Sequence, residues 1–242
     1  MNEYELHTDI KFLSENVYAP YNKTLANGWK IIKWHLVPEN GFQGAIYQKD
    51  DNVAVIYAGT NQLKDFFVDD IQMGLQFIPQ QQEDAHKLLL EAQHMYPKAN
   101  IILGGHSLGA SLAQIESAHT GIPAVTFNAY GTGDILRGEG YTNIAALNIT
   151  NYGNINDIVF GLNYDKQPGK TFVTNANLNV SSPNQIEKFW TLEFPDINQH
   201  YLSYMDDLKN VIESKPAEMR APVLLKGNVE KMYIEKFSHQ WK

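Results

Sequence analysis

The sequence predicts an α/β fold, in which a mostly parallel central sheet is flanked by helices within a single domain of 242 residues. Apolar runs at 53–57 and 124–128 are typical of strands that are covered on both faces. Between them, residues 80–96 carry apolar side chains at helical spacing and charged side chains on the opposite face. This helix is followed by a strand at 101–103 and a second helix, which is one step of a parallel sheet.

The segments on either side of this unit are assigned in chain order. Residues 1–28 are predicted to form a helical arm, because apolar side chains recur at about helical spacing until Asn27-Gly28. Residues 29–37 alternate as a half-buried strand does, and a hairpin of 42–49 and 52–57 follows. The later predictions are strands at 144–152 and 172–173, an edge strand or packing loop at 189–194, and a helix that starts near 198. We therefore divide the chain into an arm and strand (1–40), a core (41–213) and a C-terminal tail (214–242) that adds a strand or two.

Composition excludes several classes of function. The chain has no cysteine, so it forms no disulfide or thiolate metal site, and its histidines lack metal-binding spacing; we expect no metal and no cofactor. A net charge of −8 argues against nucleic acid, whose binding depends on Lys and Arg, and gives no long-range attraction to anionic membranes. The N-terminus is acidic and lacks the apolar region of a signal peptide, and no run reaches the ~18 apolar residues of a membrane span. We expect a cytoplasmic protein, or one that is exported without a cleavable signal.

The most informative stretch is Gly105-His106-Ser107-Leu108-Gly109, which stands between a strand-like run and a helix-forming run. Gly-x-Ser-x-Gly in this context is typical of a nucleophile elbow, where a strand turns sharply into a helix with the serine at the bend. Glycine two positions to either side has no Cβ and so relieves the crowding of that turn. Because an alkyl hydroxyl is a poor nucleophile, the serine needs a histidine base and a carboxylate that orients the base.

The nonapeptide Gly-His-Ser-Leu-Gly-Ala-Ser-Leu-Ala at 105–113 resembles the elbow of the class 3 lipases, the fungal triacylglycerol lipase family and its bacterial relatives. Further motifs in the same order extend the resemblance from roughly Gly41 to Tyr204. It implies an α/β-hydrolase fold and ester hydrolysis through an acyl-enzyme on Ser107. In that family a strand that ends in Gly-Thr or Gly-Ser supplies an oxyanion donor. By this resemblance the backbone N–H of Thr60 would face that of Leu108.

The resemblance also assigns the acid and the base. The stretch at 154–159 resembles the family's Asn-x-x-Asp-x-Val segment, which implies that Asp157 is the triad acid, although Ile158 stands where proline usually follows. The family places its catalytic histidine just before a helix with an aromatic residue a few positions on, which matches His200. Ser107, Asp157 and His200 then keep the chain order of α/β-hydrolases.

The residues by themselves leave two alternatives open. Asp134 also follows a predicted sheet strand and is a second candidate for the acid, and His239 is a second candidate for the base. His119 stands at the end of the elbow helix, about 18 Å along its axis from Ser107, and is excluded by that distance. His106 is expected to point into the structure or toward the sheet edge and to transfer no proton.

The segment between Thr60 and the helix at 80–96 is the candidate lid. In the fungal relatives the corresponding helix carries an aromatic residue and then an aspartate, and it covers the serine. By resemblance Phe67 and Asp70 occupy these positions, although the family aromatic is often tryptophan. Phe66 and Ile71 add apolar surface to the flap, so these four are the predicted lid and substrate-binding residues. Pro79 is expected to close this segment. The alternative is a fixed helix whose apolar side lies in the core.

The sequence therefore predicts a serine hydrolase that cleaves carboxylic esters, and more narrowly a lipase or phospholipase acting on lipid acyl esters. Its substrate would be a lipid or a small ester, and contact with a lipid interface would be transient. Two alternatives stay open. A carboxylesterase or thioesterase acting on small soluble substrates uses the same residues, and a non-catalytic lipid-binding module could keep the scaffold. The acyl-chain length, the head group and the oligomeric state are not predicted.

Overall fold

A computed structural model describes residues 1–19, 25, 27–59, 68–154, 157, 159–160, 166–174, 208 and 211–214, and side chains are described outside 68–77 and 211–214. The strands are β1 (Lys30–Val37), β2 (Phe42–Lys49), β3 (Asn52–Tyr57), β4 (Asn100–His106), β5 (Ala124–Phe127), β6 (Ile149–Asn154), β7 (Lys170–Thr174) and β8 (Val211–Ser214). The α-helices are α1 (Glu3–Asn16), α2 (Val68–Met95), α3 (Leu108–Thr120) and α4 (Gly133–Gly138), and residues 144–146 form a short 3₁₀ helix.

The eight strands form one sheet whose spatial order is the order of the chain. β1, β2 and β3 are antiparallel neighbours, joined by tight turns. From β3 to β7 each strand is parallel to the next, and β8 pairs antiparallel with β7. The predicted fold class, a mostly parallel sheet with flanking helices, is therefore confirmed.

Helices cover both faces of this sheet. On one face α1 begins with a capping box, in which Asn2 and Glu5 exchange backbone and side-chain hydrogen bonds. Its residues Ile10 and Leu13 are fully buried against β3, β4 and β5. On the other face α2 and α3 pack against the sheet through a second apolar cluster. Strands in the middle of such a sheet are buried on both sides, which explains the continuous apolar run of β3.

The bounds of several elements differ from the sequence prediction. Pro79 was expected to separate a lid segment from the helix at 80–96, but α2 runs through it without a break. Proline removes one helical N–H donor, and the helix keeps its other hydrogen bonds; Ile78 before it and Ala85 after it are buried in the second apolar cluster. The strand expected at 144–152 starts only at Ile149, because the 3₁₀ helix occupies 144–146.

Few residues near the end of the chain are described, so few of the predictions made there can be compared with the structure. The short strand expected at 172–173 is β7, whereas β8 was not predicted. The element expected at 189–194 and the helix expected near 198 lie outside the described residues, as does the tail beyond Ser214. In the part of the chain that the structure describes, no helix is both long and apolar enough to cross a membrane.

Candidate active site

Ser107 stands at the sharp bend between β4 and α3. Its backbone has φ 58° and ψ −125°, a conformation that costs a non-glycine residue on the order of 1–3 kcal/mol. The Ser107 N–H donates to the Phe127 carbonyl at the end of β5 (3.1 Å), which fixes the bend against the neighbouring strand. The Ser107 side chain makes no capping hydrogen bond to the start of α3, so its hydroxyl is not used to stabilise that helix.

Two glycines allow three backbones to meet at this bend. A methyl group on Gly105 would lie 2.5 Å from the Gly109 carbonyl carbon and 2.7 Å from the Tyr57 carbonyl oxygen. A methyl group on Gly109 would overlap the Tyr57 backbone itself. The predicted reason for Gly-x-Ser-x-Gly is thus confirmed: Cβ atoms at 105 and 109 would push β4, α3 and the end of β3 apart.

The start of α3 and the end of β3 border Ser107 on two sides. Leu108 is the first residue of α3, where backbone N–H groups have no partner inside the helix and carry partial positive charge. Gly59 follows β3 and approaches the serine so closely that a methyl group on it would lie 3.0 Å from Ser107 Cβ. Thr60, the predicted second oxyanion donor, lies outside the described residues, and its role stays a prediction.

Asp157 is fully buried just beyond the end of β6. Its N–H donates to the Asn154 carbonyl (3.0 Å), and its Oδ1 accepts the Val159 N–H (2.8 Å). The end of β6 is in turn fixed by Asn128, whose Oδ1 accepts the Asn154 N–H (2.8 Å). β6 is two strands from β4, about 10 Å at the usual spacing, which leaves room for an imidazole bonded on both sides.

The alternative acid, Asp134, is in a different environment. It lies in α4 with 59% of its side chain exposed, and it pairs with Lys166 Nζ (2.5 Å) and Arg137 Nη1 (3.1 Å). The hydrogen bond from Lys166, with the charges of both cations, lowers the pKa of Asp134 below its ordinary value. This carboxylate is therefore part of a surface ion-pair group, whereas Asp157 is buried beside the parallel strands.

The two histidines proposed as base, His200 and its alternative His239, both lie outside the described residues. His119 is at the far end of α3, where Nε2 bonds Glu139 (2.8 Å) and the ring stacks on Tyr141. His106 is buried next to Ser107, with Nδ1 3.0 Å from the hydroxyl of Tyr18. Its side chain points to the face of the sheet that α1 covers.

Tyr18 is a residue near the site that the sequence did not indicate. Besides contacting His106, its hydroxyl accepts the Gly59 N–H (2.9 Å). Burial raises the pKa of Tyr18 well above its ordinary value of 10.0. No local pattern could have identified this residue, because its approach to 59 and 106 results from the packing of α1 across the sheet.

The candidate lid is described only in part. Asp70 and Ile71 lie in the first turn of α2, and the structure describes their backbone alone. Phe66 and Phe67 lie outside the described residues. The moving lid and the fixed helix therefore both stay predictions for this segment.

The mostly parallel sheet with flanking helices, and the strained serine at a strand-to-helix bend, are those of the α/β-hydrolase fold. A family model described as "Phospholipase-like: Tle-like phospholipase domain" matches residues 12–137, slightly more than half of the chain. The chain therefore belongs to the family of Tle-like phospholipase domains. The matched region includes Gly59 and Ser107 and ends before Asp157.

One curated protein and several solved structures are similar to the chain. An extracellular phospholipase A1 of Serratia liquefaciens is 34% identical over 95 residues, which are 39% of this chain and 29% of that protein. The match thus spans under a third of the length of the Serratia protein. The Rhizomucor miehei lipase in its propeptide complex has a TM-score of 0.59 at 14% identity, with 86% of this chain and 83% of that chain covered. Lipase II from Rhizopus niveus also has a TM-score of 0.59 at 14% identity, covering 85% and 96%. At such identity these lipases establish the fold alone.

Proposed function

We propose that this protein is a serine hydrolase that cleaves acyl esters of lipids, with Ser107 as the nucleophile. The observation that carries the proposal is the backbone of Ser107, which is strained at a strand-to-helix bend while its hydroxyl does not cap the helix. The strain has no evident use for stability, and it turns a side chain out of the sheet edge where ester-cleaving serines of this fold react. Membership of the phospholipase-like family supports the same chemistry.

The proposed reaction follows from the chemistry of an activated serine. Ser107 Oγ attacks the ester carbonyl carbon while His200 takes the hydroxyl proton, and Asp157 orients the imidazole. The negative oxygen of the tetrahedral intermediate accepts hydrogen bonds from the amides of Leu108 and Thr60. Collapse expels the alcohol, which takes the proton from His200. Water, deprotonated by His200, then attacks the acyl-enzyme, releases the carboxylic acid and regenerates Ser107.

The substrate class is proposed from the family and from the Serratia relative. That relative is named a phospholipase A1, which supports the acyl ester of a phospholipid over a small soluble ester or thioester. Such substrates are aggregated, so the protein would contact a lipid surface transiently. The same name describes an extracellular protein, and of the two compartments expected from the sequence it favours export.

The nucleophile is tested by replacing two serines of the same helical region. Ser107→Ala should lower ester turnover by about 10⁶ and abolish labelling by a fluorophosphonate, since the attacking atom is gone. The matched control is Ser117→Ala in the last part of α3, where the hydroxyl bonds the Ile122 carbonyl (2.6 Å) and takes no part in the site. A Ser107→Ala protein that keeps ester turnover would defeat the proposal. A wild-type protein that reacts with neither probe would favour the non-catalytic module.

The acid and the base are tested by the same logic. Asp157→Asn should lower kcat/KM by about 10⁴, because an amide orients the wrong tautomer of the base. Asp134→Asn should leave kcat/KM near the wild-type value, because that carboxylate pairs with surface cations. His200→Ala should abolish fluorophosphonate labelling, and undiminished labelling would transfer the base to His239.

The substrate class is tested with p-nitrophenyl esters of rising chain length and with phospholipid vesicles. A rate that rises steeply when the ester aggregates would support a lipid substrate and a moving lid. Highest activity on short monomeric esters, with none on phospholipid, would instead support a carboxylesterase.

A further inference from the structure

The hydroxyl of Tyr18 joins the two chain segments that border Ser107. It accepts the Gly59 N–H at 2.9 Å and lies 3.0 Å from His106 Nδ1. Gly59 is the last described residue of the loop that follows β3, and His106 is the last residue of β4. A single side chain from a third segment thus bonds both sides of the candidate site.

Tyr18 is itself fixed by the packing of the segment before it. Ile10 and Val17 are fully buried under the sheet, and a methyl group on Gly104 would lie 2.5 Å from Ile10 Cγ2, so glycine permits this close approach of α1 to β4. Gln43 Nε2, buried in β2, donates to the Val17 carbonyl (2.5 Å) immediately before Tyr18. The hydroxyl is therefore held in place independently of the loop that it contacts.

The bonded peptide lies in direct contact with the nucleophile. A methyl group on Gly59 would be 2.7 Å from Tyr18 Oη and 3.0 Å from Ser107 Cβ. There is therefore no room for a side chain on Gly59 between Tyr18 and Ser107. The peptide that follows Gly59 carries the amide of Thr60, the proposed oxyanion donor. Any shift of the Gly59 peptide would move that donor relative to the Leu108 amide.

We propose that Tyr18 is a positioning residue of the hydrolase: its hydroxyl holds the Gly59 peptide against His106 and beside Ser107, immediately before the proposed oxyanion donor in the chain. The inference rests on the proposed function. The phenol is well suited to the task, because burial keeps it neutral and one hydroxyl can accept from an amide while it shares its proton with an imidazole. A pre-organised donor pair stabilises the transition state only if both donors stay aimed at the developing charge.

The test is the loss of one hydroxyl at each of two tyrosines, the partly buried Tyr18 and the fully buried Tyr47. In Tyr18→Phe the Gly59 N–H loses its acceptor, the loop loosens, and kcat should fall about 10- to 100-fold, less than the 10²–10³ of a deleted donor. KM should stay close to the wild-type value, since the hydroxyl bonds protein groups and not substrate. Amide exchange at Gly59, followed by NMR, should accelerate in the same variant, and this readout needs no catalysis.

The matched control is Tyr47→Phe. Tyr47 is fully buried in β2, and its hydroxyl donates to Asn16 Oδ1 (3.0 Å) on the same face of the sheet. Tyr47 pairs with Ala54, three residues and roughly 10 Å before the end of β3, so its hydroxyl is remote from the site. Both variants lose a buried hydroxyl and should lose similar thermal stability, but only Tyr18→Phe should lose kcat.

The outcomes separate this inference from the proposed function. Wild-type activity with equal kcat in Tyr18→Phe and Tyr47→Phe would overturn the positioning role and leave the hydrolase intact. A raised KM at unchanged kcat would assign Tyr18 to substrate binding and would also overturn it. Wild-type protein that is inert to esters and to fluorophosphonate would overturn both proposals together.

Discussion

At the scale of single residues, the site depends on conformations that most side chains avoid. Ser107 and Asn128 both have positive φ, at the ends of the neighbouring strands β4 and β5. Each is fixed by hydrogen bonds to an adjacent strand: Ser107 donates its N–H to Phe127, and Asn128 accepts the Asn154 N–H with its side chain. Strain of this kind persists only where the surrounding structure fixes it, and here it lies at the candidate active site.

The glycines of the elbow can be tested at this scale. Gly109→Ala should lower the free energy of unfolding by about 3 kcal/mol, because a Cβ there overlaps the Tyr57 backbone, which has no room to move. Gly138→Ala is the control, since nothing lies within 4 Å of its Cβ position in α4. It should be neutral or stabilise by up to about 1 kcal/mol. Urea denaturation of both variants measures the difference, and equal midpoints would contradict the close contact.

At the scale of elements, buried polar contacts fix the helices on both faces. On α3, Gln114 Nε2 donates to Asn151 Oδ1 and to Gln167 Oε1, both at 2.8 Å, and its Oε1 accepts the Thr132 hydroxyl (2.9 Å). This network connects the elbow helix to β6 and to the segment before β7. Because each of these side chains has a hydrogen-bond partner, the network holds the segments around Thr132 and Gln167 against α3, the helix that starts after Ser107.

A hydrogen bond to a buried carboxylate joins helix α2 to α3. His86 Nδ1 bonds the carboxylate of Glu116 (2.9 Å), and that carboxylate is almost fully buried. A buried carboxylate without a partner would be costly, so this contact favours one placement of the C-terminal part of α2. The part of α2 before Pro79 includes Asp70 and Ile71 of the candidate lid.

The contact of α1 with the sheet predicts a pH dependence of stability. His7 is buried in α1 with Nδ1 2.8 Å from the Tyr152 hydroxyl, and burial, opposed by Glu3, lowers its pKa below the ordinary value of 6.5. Near and below pH 6.5 the folded state then binds fewer protons than the unfolded state. The free energy of unfolding is therefore highest above pH 6.5 and decreases as the pH falls below that value.

The variant His7→Asn removes this titration and keeps a polar atom near the Tyr152 hydroxyl. Between pH 7.5 and 5.5 its free energy of unfolding should fall less than that of the wild type. The control variant is His94→Asn, at an exposed position of α2. Its free energy of unfolding should decrease over the same pH range by as much as that of the wild type. Chemical denaturation at both pH values makes the comparison, and parallel losses in all three proteins would show that His7 is not the group responsible.

At the scale of the whole molecule, the parallel part of the sheet brings the candidate residues to one edge. Gly59 follows β3, Ser107 follows β4 and Asp157 follows β6, and these strands run in the same direction. The carboxyl ends of parallel strands meet at one edge, so residues distant in sequence become neighbours there. The antiparallel hairpin of β1 and β2 lies at one end of the strand order and contributes no residue to the candidate triad.

Net charge gives a prediction at the same scale. With a charge of −8, the chain is repelled by anionic surfaces, so it should hydrolyse zwitterionic phospholipid vesicles faster than anionic ones at low ionic strength. The difference should shrink toward 0.15 M salt, where the screening length is about 8 Å. Initial rates on the two vesicle types over a salt series measure it, and a preference for anionic vesicles would contradict the prediction.

The sequence by itself determined the features that depend on local pattern. The hairpin β2–β3, the helix that ends at Met95 and the strand–serine–helix around Ser107 follow from alternation, amphipathic spacing and glycine placement. It predicted the candidate nucleophile and acid and the resemblance to lipases for the same reason, since each is a short run of specific residues. It failed at Pro79, where the contacts of a long helix outweigh one lost hydrogen bond, and at β8.

Only the tertiary structure decided which side chains surround the serine. Tyr18 lies 88 positions before His106 in sequence, yet the two side chains are in hydrogen-bond contact, because α1 crosses the sheet over β4. The difference between a buried Asp157 and an ion-paired Asp134 is likewise invisible in sequence, since both follow a strand. Burial and long-range contact are properties of packing, and packing depends on many distant residues together rather than on a local pattern.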